Sequence, residues 1–180
     1  MTCKLGIFGY PLSHSISPVF QQAALDALKI NARYEAWEVP PSGLASRIEE
    51  LRNPIYLGAN VTIPHKESAM DLVDELDPLA EKIGSLNTIV NRKGKLLGYN
   101  TDAGGFLKAL KSTESFDPKG ANVLIIGAGG AARAAVCSLL GLNISRLVIA
   151  NRTLDRAISL GKYFSSSIEV SAIGMNDSRL

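Results

Sequence analysis

The chain is poor in the features that would place it quickly in several classes. Only two of its 180 residues are cysteine, Cys3 and Cys137. They lie far apart and match no metal-ligand spacing, so a reducing compartment is expected and a disulfide is not. Its two histidines, His14 and His65, form no ligand cluster, and no metal is expected. No run of about 18 apolar residues exists, so no membrane-spanning helix is expected. The first ten residues are too short an apolar stretch for a secretory signal and are broken by Lys4, Gly6 and Gly9. A cytoplasmic location is therefore expected. The net charge of +2 is too small to argue for nucleic acid or an anionic membrane as partner. Sequons at Asn60 and Asn143 carry no weight without secretion. There is no internal repeat and no low-complexity segment. What remains is an ordinary globular balance, 46% hydrophobic and 20% charged, with length for one large or two small domains.

The most informative segment is Gly127-Ala128-Gly129-Gly130-Ala131-Ala132. Leu124, Ile125 and Ile126 precede it as an apolar run resembling a buried parallel strand. Ala131 to Leu140 follow as an alanine- and leucine-rich helix. Glycines in a strand–turn–helix allow close backbone approach to a pyrophosphate, and the helix N-terminus offers free N–H groups. Ala132 fits the last position of the G-x-G-x-x-G/A pattern. Residues 146–150 (RLVIA) read as the next parallel strand. An NAD site would place an acid at its end to bond the ribose 2′-hydroxyl. Here stand Asn151, Arg152 and Thr153, with Arg156 four residues past Arg152, a spacing that brings both to one helix face. Two guanidinium groups beside a hydroxyl suit a 2′-phosphate. The residues imply an NADP site. The alternative is an α/β turn with two solvated arginines.

The organisation reads as α/β. Strands are expected at 4–8, 33–39 and 56–61. Helices are expected at 18–28 (Ser17 as N-cap, Pro18 at N1), 43–51, 66–75 and 78–83. A hairpin follows: 88–91, a turn through Lys93-Gly94, then 96–99. A helix spans 104–111, and Pro118-Lys119-Gly120 punctuates before the dinucleotide unit. The expected division is 1–101 for substrate binding and catalysis and 102–180 for NADP binding. A third strand is expected at 168–170. Only residues 171–180 follow it, whereas a complete dinucleotide-binding sheet has six strands. The second domain is thus expected to hold only the first half of a Rossmann sheet. The chain is a fragment, a truncated sequence, or completed by another chain.

Polar residues cluster at the predicted strand ends of the first part. In Ser13-His14-Ser15-Ile16-Ser17-Pro18, Ser15 and Ser17 alternate, and in an extended segment their hydroxyls share a side. They can bind a carboxylate; spacing alone favours a capping Ser17 and a solvated Ser15. Asn60-Val61-Thr62-Ile63-Pro64-His65-Lys66 follows an apolar strand and is expected to open a helix. A lysine ammonium there can give a proton to a forming alkoxide; composition alone favours a surface lysine. Asn87, in Leu86-Asn87-Thr88, and Asp102, in Asn100-Thr101-Asp102, complete the set. Asp102 beside Lys66 would hold the ammonium in place; its alternative role is a helix N-cap. His14 and His65 are read as ordinary.

Taken in order from Gly9 to Arg156, these six segments resemble the shikimate dehydrogenase family. The motifs are Ser-His-Ser-Ile-Ser-Pro, Asn-Val-Thr-Ile-Pro-His-Lys, Leu-Asn-Thr, Asn-Thr-Asp, Gly-Ala-Gly-Gly-Ala-Ala-Arg and Asn-Arg-Thr. The resemblance implies reversible NADPH-dependent reduction of 3-dehydroshikimate to shikimate in aromatic amino-acid biosynthesis. By the same resemblance, Ser15 and Ser17 hold the substrate carboxylate. Thr62, Asn87 and Asp102 hold ring hydroxyls, with Asn60 in support. Lys66 and Asp102 form the catalytic pair, and both touch substrate. Gly127, Ala128, Gly129, Gly130 and Ala131 cradle the pyrophosphate, while Asn151, Arg152, Thr153 and Arg156 take the 2′-phosphate end. Small molecules are the implied partners, and a homodimer is left open.

Two departures from the family pattern stand out. Ala103 replaces the glycine usual after Asn-Thr-Asp, which costs little in a helix and much at positive φ. The family's further C-terminal part carries the rest of the sheet and a helix that returns to the first domain. Apolar surface is therefore expected to be exposed on both domains. Rival readings are a quinate/shikimate dehydrogenase relative, a methylene-tetrahydrofolate dehydrogenase, and a non-catalytic module that holds shikimate or a nucleotide.

Overall fold

The structure, a computed structural model, describes residues 2–113, 117–165 and 170–177. The chain divides into two units, Met1–Thr101 and Asp102–Leu180. In the first unit the strands are β1 (Cys3–Gly9), β2 (Ala32–Glu38), β3 (Gly58–Val61), β4 (Glu75–Leu76), β5 (Thr88–Arg92) and β6 (Lys95–Tyr99). Its helices are α1 (Ser17–Ala27), α2 (Leu44–Glu50) and α3 (Pro78–Ile83). The sheet order is β2-β1-β3-β5-β6-β4. β1 runs parallel to β2 and β3, whereas β5 is antiparallel to β3 and to β6.

Alternation along β1 sends neighbouring side chains into two different cores. Phe8 joins Trp37, Ile48, Leu51, Leu86 and Ile89, while Ile7 joins Leu12 and Tyr34. The hairpin turns through Lys93 (φ 56°) and Gly94 (φ 89°). Two consecutive positive φ values match the right-handed twist of the paired strands.

Two local expectations need correction here. Ser17 does not cap α1: Ile16 holds the cap position, and the Ser17 N–H donates to Ser15 Oγ at 3.4 Å. Ser15 therefore meets a helix-end donor, and Ser17 is the first helical residue. The segment 66–75 is not an α-helix. It runs as turns, a short 3₁₀ stretch at Met70–Leu72, and then edge strand β4. The reason is tertiary. The Asp74 N–H donates to Leu96 O, and the Asp74 carboxylate takes the Leu96 N–H (2.7 Å) and the Arg52 guanidinium (2.6 and 3.0 Å). These bonds tie the segment to the sheet, where a helix would withdraw the same groups.

The second unit holds α4 (Asp102–Ser112), β7 (Asn122–Ile126), α5 (Gly130–Leu140), β8 (Arg146–Asn151), α6 (Leu154–Phe164) and β9 (Val170–Gly174). Its described strands form a parallel sheet ordered β7-β8-β9. The third strand thus begins at Val170; residues 168 and 169 lie outside the described ones. Val136, Leu139, Leu147, Ile149, Leu160 and Phe164 form its core. β7 is not the fully buried strand its apolar run implies: Leu124 is 47% and Ile126 67% exposed. β7 has a described neighbour on one side only, so alternate residues lack cover. Ala103 is helical and buried, at no positive φ, so the methyl is tolerated.

Candidate functional site

The first unit gathers its polar residues where parallel strands β1 and β3 end. The Thr62 N–H donates to Phe8 O (2.8 Å) and the Tyr10 N–H to Ile63 O (3.0 Å), so the segments leaving the two strands are clamped together. Between them and the loop before α1 opens a cavity of ≈ 380 Å³. Ser15, Ser17 and Thr62 line it, with Tyr10, Ser13 and His14. The Ser15 N–H is bonded to Leu12 O at 2.9 Å, which fixes the loop that carries the hydroxyls.

A second polar group runs across β3 and β5. The Asn60 Nδ2 donates toward Thr88 Oγ1 (3.2 Å) and Asn87 O (3.4 Å). Asn87 clips the start of β5 to the end of β6: its Nδ2 donates to Thr101 Oγ1 and its Oδ1 accepts the Thr101 N–H, both at 2.9 Å. The Asn87 carbonyl accepts the Val61 N–H at 2.8 Å, one residue before Thr62. Lys66 is half-buried and sits in a turn, not in a first helical turn. Its carbonyl accepts the Leu86 N–H at 2.9 Å, which sets Lys66 beside the strand entry that carries Asn87. Ser15, Ser17 and Thr62 therefore share one cavity, and Asn60, Asn87 and Lys66 are tied to the same strand ends. Asp102 is the first residue of α4 and belongs to the second unit.

His65 is buried, with Nε2 at 2.7 Å from Val39 O. A carbonyl only accepts, so Nε2 carries the proton and the ring is a satisfied core group. Tyr34 and Tyr10 lie outside the motifs read from the sequence, whereas Thr101 enters there only as a neighbour of Asp102. Tyr34 had a usable signal: a tyrosine pointing inward from a strand needs a partner for its hydroxyl. That partner is Asn60 Oδ1, at 2.6 Å. Burial pushes the Tyr34 hydroxyl up to about 12, so it is held as a donor.

In the second unit the glycine turn joins β7 to α5. Gly127 has φ 118°, a conformation that disfavours any side chain, and its N–H donates to Ala150 O at 2.7 Å. A Cβ placed on Gly127 or Gly129 would meet nothing within 4 Å, so the turn faces open space at the helix start. Gly129 caps α5, Gly130 is its first residue, Ala128 is buried and Ala131 exposed. At the end of β8, Asn151 Nδ2 donates to Thr153 O at 2.8 Å. Thr153 is the cap of α6, so Arg152 lies before the helix and does not share a helical face with Arg156. The four-residue spacing therefore does not bring the two onto one helix face: Arg152 sits in the strand-to-helix loop and Arg156 in α6. Both arginines are exposed, and among the described residues neither has an ion-pair partner. No acid stands at this strand end. The open glycine cradle and the unneutralised guanidinium groups fit a dinucleotide that carries an additional phosphate. No group of three His, Cys, Asp or Glu residues with metal-holding geometry occurs among the described residues.

Parallel strands joined by helices, with a glycine turn at a helix N-terminus, give the second unit a partial Rossmann-type fold; the first is a mixed α/β domain with its cavity at strand ends. The family model for the shikimate dehydrogenase substrate binding domain matches residues 7–89, and that for shikimate / quinate 5-dehydrogenase matches 108–179. The chain belongs to the shikimate dehydrogenase family. A shikimate dehydrogenase (NADP(+)) of Methanopyrus kandleri is 44% identical, over 95% of this chain and 59% of the relative. The crystal structure of shikimate dehydrogenase from Aquifex aeolicus matches with TM-score 0.86 at 40% identity, over 94% of this chain and 62% of that one. The Thermus thermophilus enzyme in complex with NADP(H) and shikimate matches with TM-score 0.81 at 38% identity, over 93% and 63%. The chain thus spans about three fifths of the length of these relatives.

Proposed function

We propose that this chain carries the substrate and NADP sites of a shikimate dehydrogenase, serving reversible reduction of 3-dehydroshikimate to shikimate in aromatic amino-acid biosynthesis. Residues 1–101 bind and position the ring acid, and residues 102–180 bind the nucleotide. The observation that carries the reading is the cavity lined by Ser15, Ser17 and Thr62. Neutral hydroxyls there accept a carboxylate by hydrogen bonds while leaving the ring exposed to the neighbouring strand ends. Thr62, Asn87 and Asp102 take ring hydroxyls, and Asn60 supports Asn87. NADPH, when bound, supplies the hydride. The Lys66 ammonium gives a proton to the carbonyl oxygen as it becomes an alkoxide, and in the reverse direction the neutral Lys66 amine takes it back. Asp102 orients that ammonium and the substrate. Gly127, Ala128, Gly129, Gly130 and Ala131 border the pyrophosphate, and Asn151, Arg152, Thr153 and Arg156 hold the 2′-phosphate.

The relatives named for NADP and shikimate support this reading. A second reading is a module that binds without turnover. It is favoured by apolar side chains left exposed in both units, Ile16 at the cap of α1, Val19 and Phe20 on α1, and Leu124 and Ile126 on β7. No helix among the described residues is long and apolar enough to cross a membrane, and a cytoplasmic location belongs to the proposal. The test is spectrophotometric. Shikimate-dependent reduction of NADP, much faster than that of NAD, supports the enzyme. Heat-stabilisation by shikimate without reduction of either supports the binding module. Neither effect removes shikimate from the proposal.

A further inference from the structure

Tyr34 lies on β2, outside every segment that carries the proposed chemistry, yet its hydroxyl reaches Asn60. Three observations make that contact directional. The Asn87 carbonyl only accepts, so the side of the Asn60 amide facing it (3.4 Å) must be Nδ2. The opposite atom is then Oδ1, and the Tyr34 hydroxyl at 2.6 Å must be its donor. Finally, Thr88 Oγ1 accepts from Asn60 Nδ2 (3.2 Å) and so turns its own hydrogen to Asn87 Oδ1 (3.1 Å).

Tyr34 is itself held firmly. Its N–H donates to Gln22 Oε1 of α1 at 2.8 Å, and its ring packs in one cluster with Ile7 and Leu12, two residues that also line the serine cavity. Its ring is therefore held beside the cavity lining, and its hydroxyl hydrogen is directed by its partner, Asn60 Oδ1. We propose that Tyr34 is a positioning residue, whose buried hydroxyl locks Asn60 in the orientation its other partners require and so steadies the chain Asn60–Thr88–Asn87 that presents the Asn87 amide to a hydroxylated ring. The substrate half of this inference rests on the function proposed above; the hold of Tyr34 on Asn60 and its chain does not. The Asn87 carbonyl and the Thr101 N–H, both backbone groups, give the chain its direction, and the Tyr34 hydroxyl closes its far end so that Asn60 keeps a single orientation.

Tyr34→Phe removes one oxygen and leaves the ring. Side-chain amide resonances of Asn60 and Asn87 are followed by NMR in Tyr34→Phe, Thr88→Val and the double variant, with shikimate affinity measured on each. The expected result is that Tyr34→Phe moves both amide signals while backbone dispersion is kept. Shikimate binding should weaken roughly three- to tenfold, the scale of one hydrogen bond. The double variant should bind about as weakly as the weaker single one, because both break one chain. Unmoved Asn87 amide signals in Tyr34→Phe overturn the proposal whether or not shikimate binds. Losses that simply add in the double variant also overturn it. A wild-type chain without shikimate affinity removes the proposed function, and the amide signals then decide the role of Tyr34 alone.

Discussion

Gly9 stands where β1 ends and the cavity begins, and the substitution Gly9→Ala tests how tightly that corner is built. A Cβ there would lie 2.5 Å from Leu12 Cδ2, 2.6 Å from Thr62 Cγ2 and 3.1 Å from Ile63 O. Leu12 can swing its methyl aside. Thr62 cannot do so easily, since its N–H is bonded to Phe8 O at 2.8 Å and the backbone of Ile63 receives the Tyr10 N–H. Overpacking of this kind costs about 1–3 kcal/mol. Alanine restricts the unfolded chain more than glycine, which returns about 0.4–1 kcal/mol. A net loss of about 1–2 kcal/mol remains, or roughly 5–15 °C in Tm for a unit of this size. The matched control is Gly104→Ala, on an exposed turn of α4 where a Cβ meets nothing within 4 Å. It should stabilise by about 0.5–1 kcal/mol. Thermal unfolding followed by circular dichroism and calorimetry reads both. Leu12 and Thr62 line the cavity, so Gly9→Ala should also weaken shikimate binding, which Gly104→Ala should leave unchanged. If Gly9→Ala is as stabilising as Gly104→Ala, the corner is not packed as described and the argument from its geometry fails.

Other outcomes follow from the same structure. Lys66→Ala should lower turnover by about two to four orders of magnitude, the usual scale of lost proton transfer, with shikimate affinity changed little; a near-normal rate excludes Lys66 from the chemistry. Arg152→Ala with Arg156→Ala should weaken NADP by at least about tenfold and NAD much less, read by titration calorimetry, since only the 2′-phosphate needs the two cations; equal losses would remove that phosphate from the site. The Arg52 guanidinium, and then the Leu96 N–H, hold the Asp74 carboxyl below its ordinary value. The folded state therefore binds that proton less readily than the unfolded chain. Its contribution is present above about pH 4 and is lost as pH falls through the lowered value. Asp74→Asn should flatten this acid limb of the stability–pH profile in denaturant titrations; an unchanged limb would exclude Asp74 as its source.

Legibility along the chain followed the range of the interactions. The glycine turn was readable because its requirements are local: an apolar strand, Gly127 at a φ closed to other residues, and a helix that starts three residues later. The hairpin through Lys93-Gly94 and helix α3, capped by Asp77 on the Leu79 N–H, were readable for the same reason. The misreadings at 66–75 and at Arg152 came from applying helical spacing where distant partners take the backbone elsewhere. At 66–75 those partners are Arg52 and Leu96; at Arg152 the strand simply runs on to Asn151 before the helix is capped at Thr153.

The order of residues alone settled which chemical groups stand at which strand ends: a serine pair, a lysine, two asparagines, a glycine turn, and a strand terminus with arginine and no acid. Local backbone preference and short-range capping suffice for that, because each feature is complete within a few residues. How those groups meet was left to the folded chain. That Asn60 bonds Tyr34 across 26 positions, that Asn87 clips Thr101 across 14, and that Ser15, Ser17 and Thr62 open on one cavity all depend on β2, β1, β3, β5 and β6 lying side by side in that order. Strand order is set by burying two cores at once, and no window along the sequence contains the contacts that decide it.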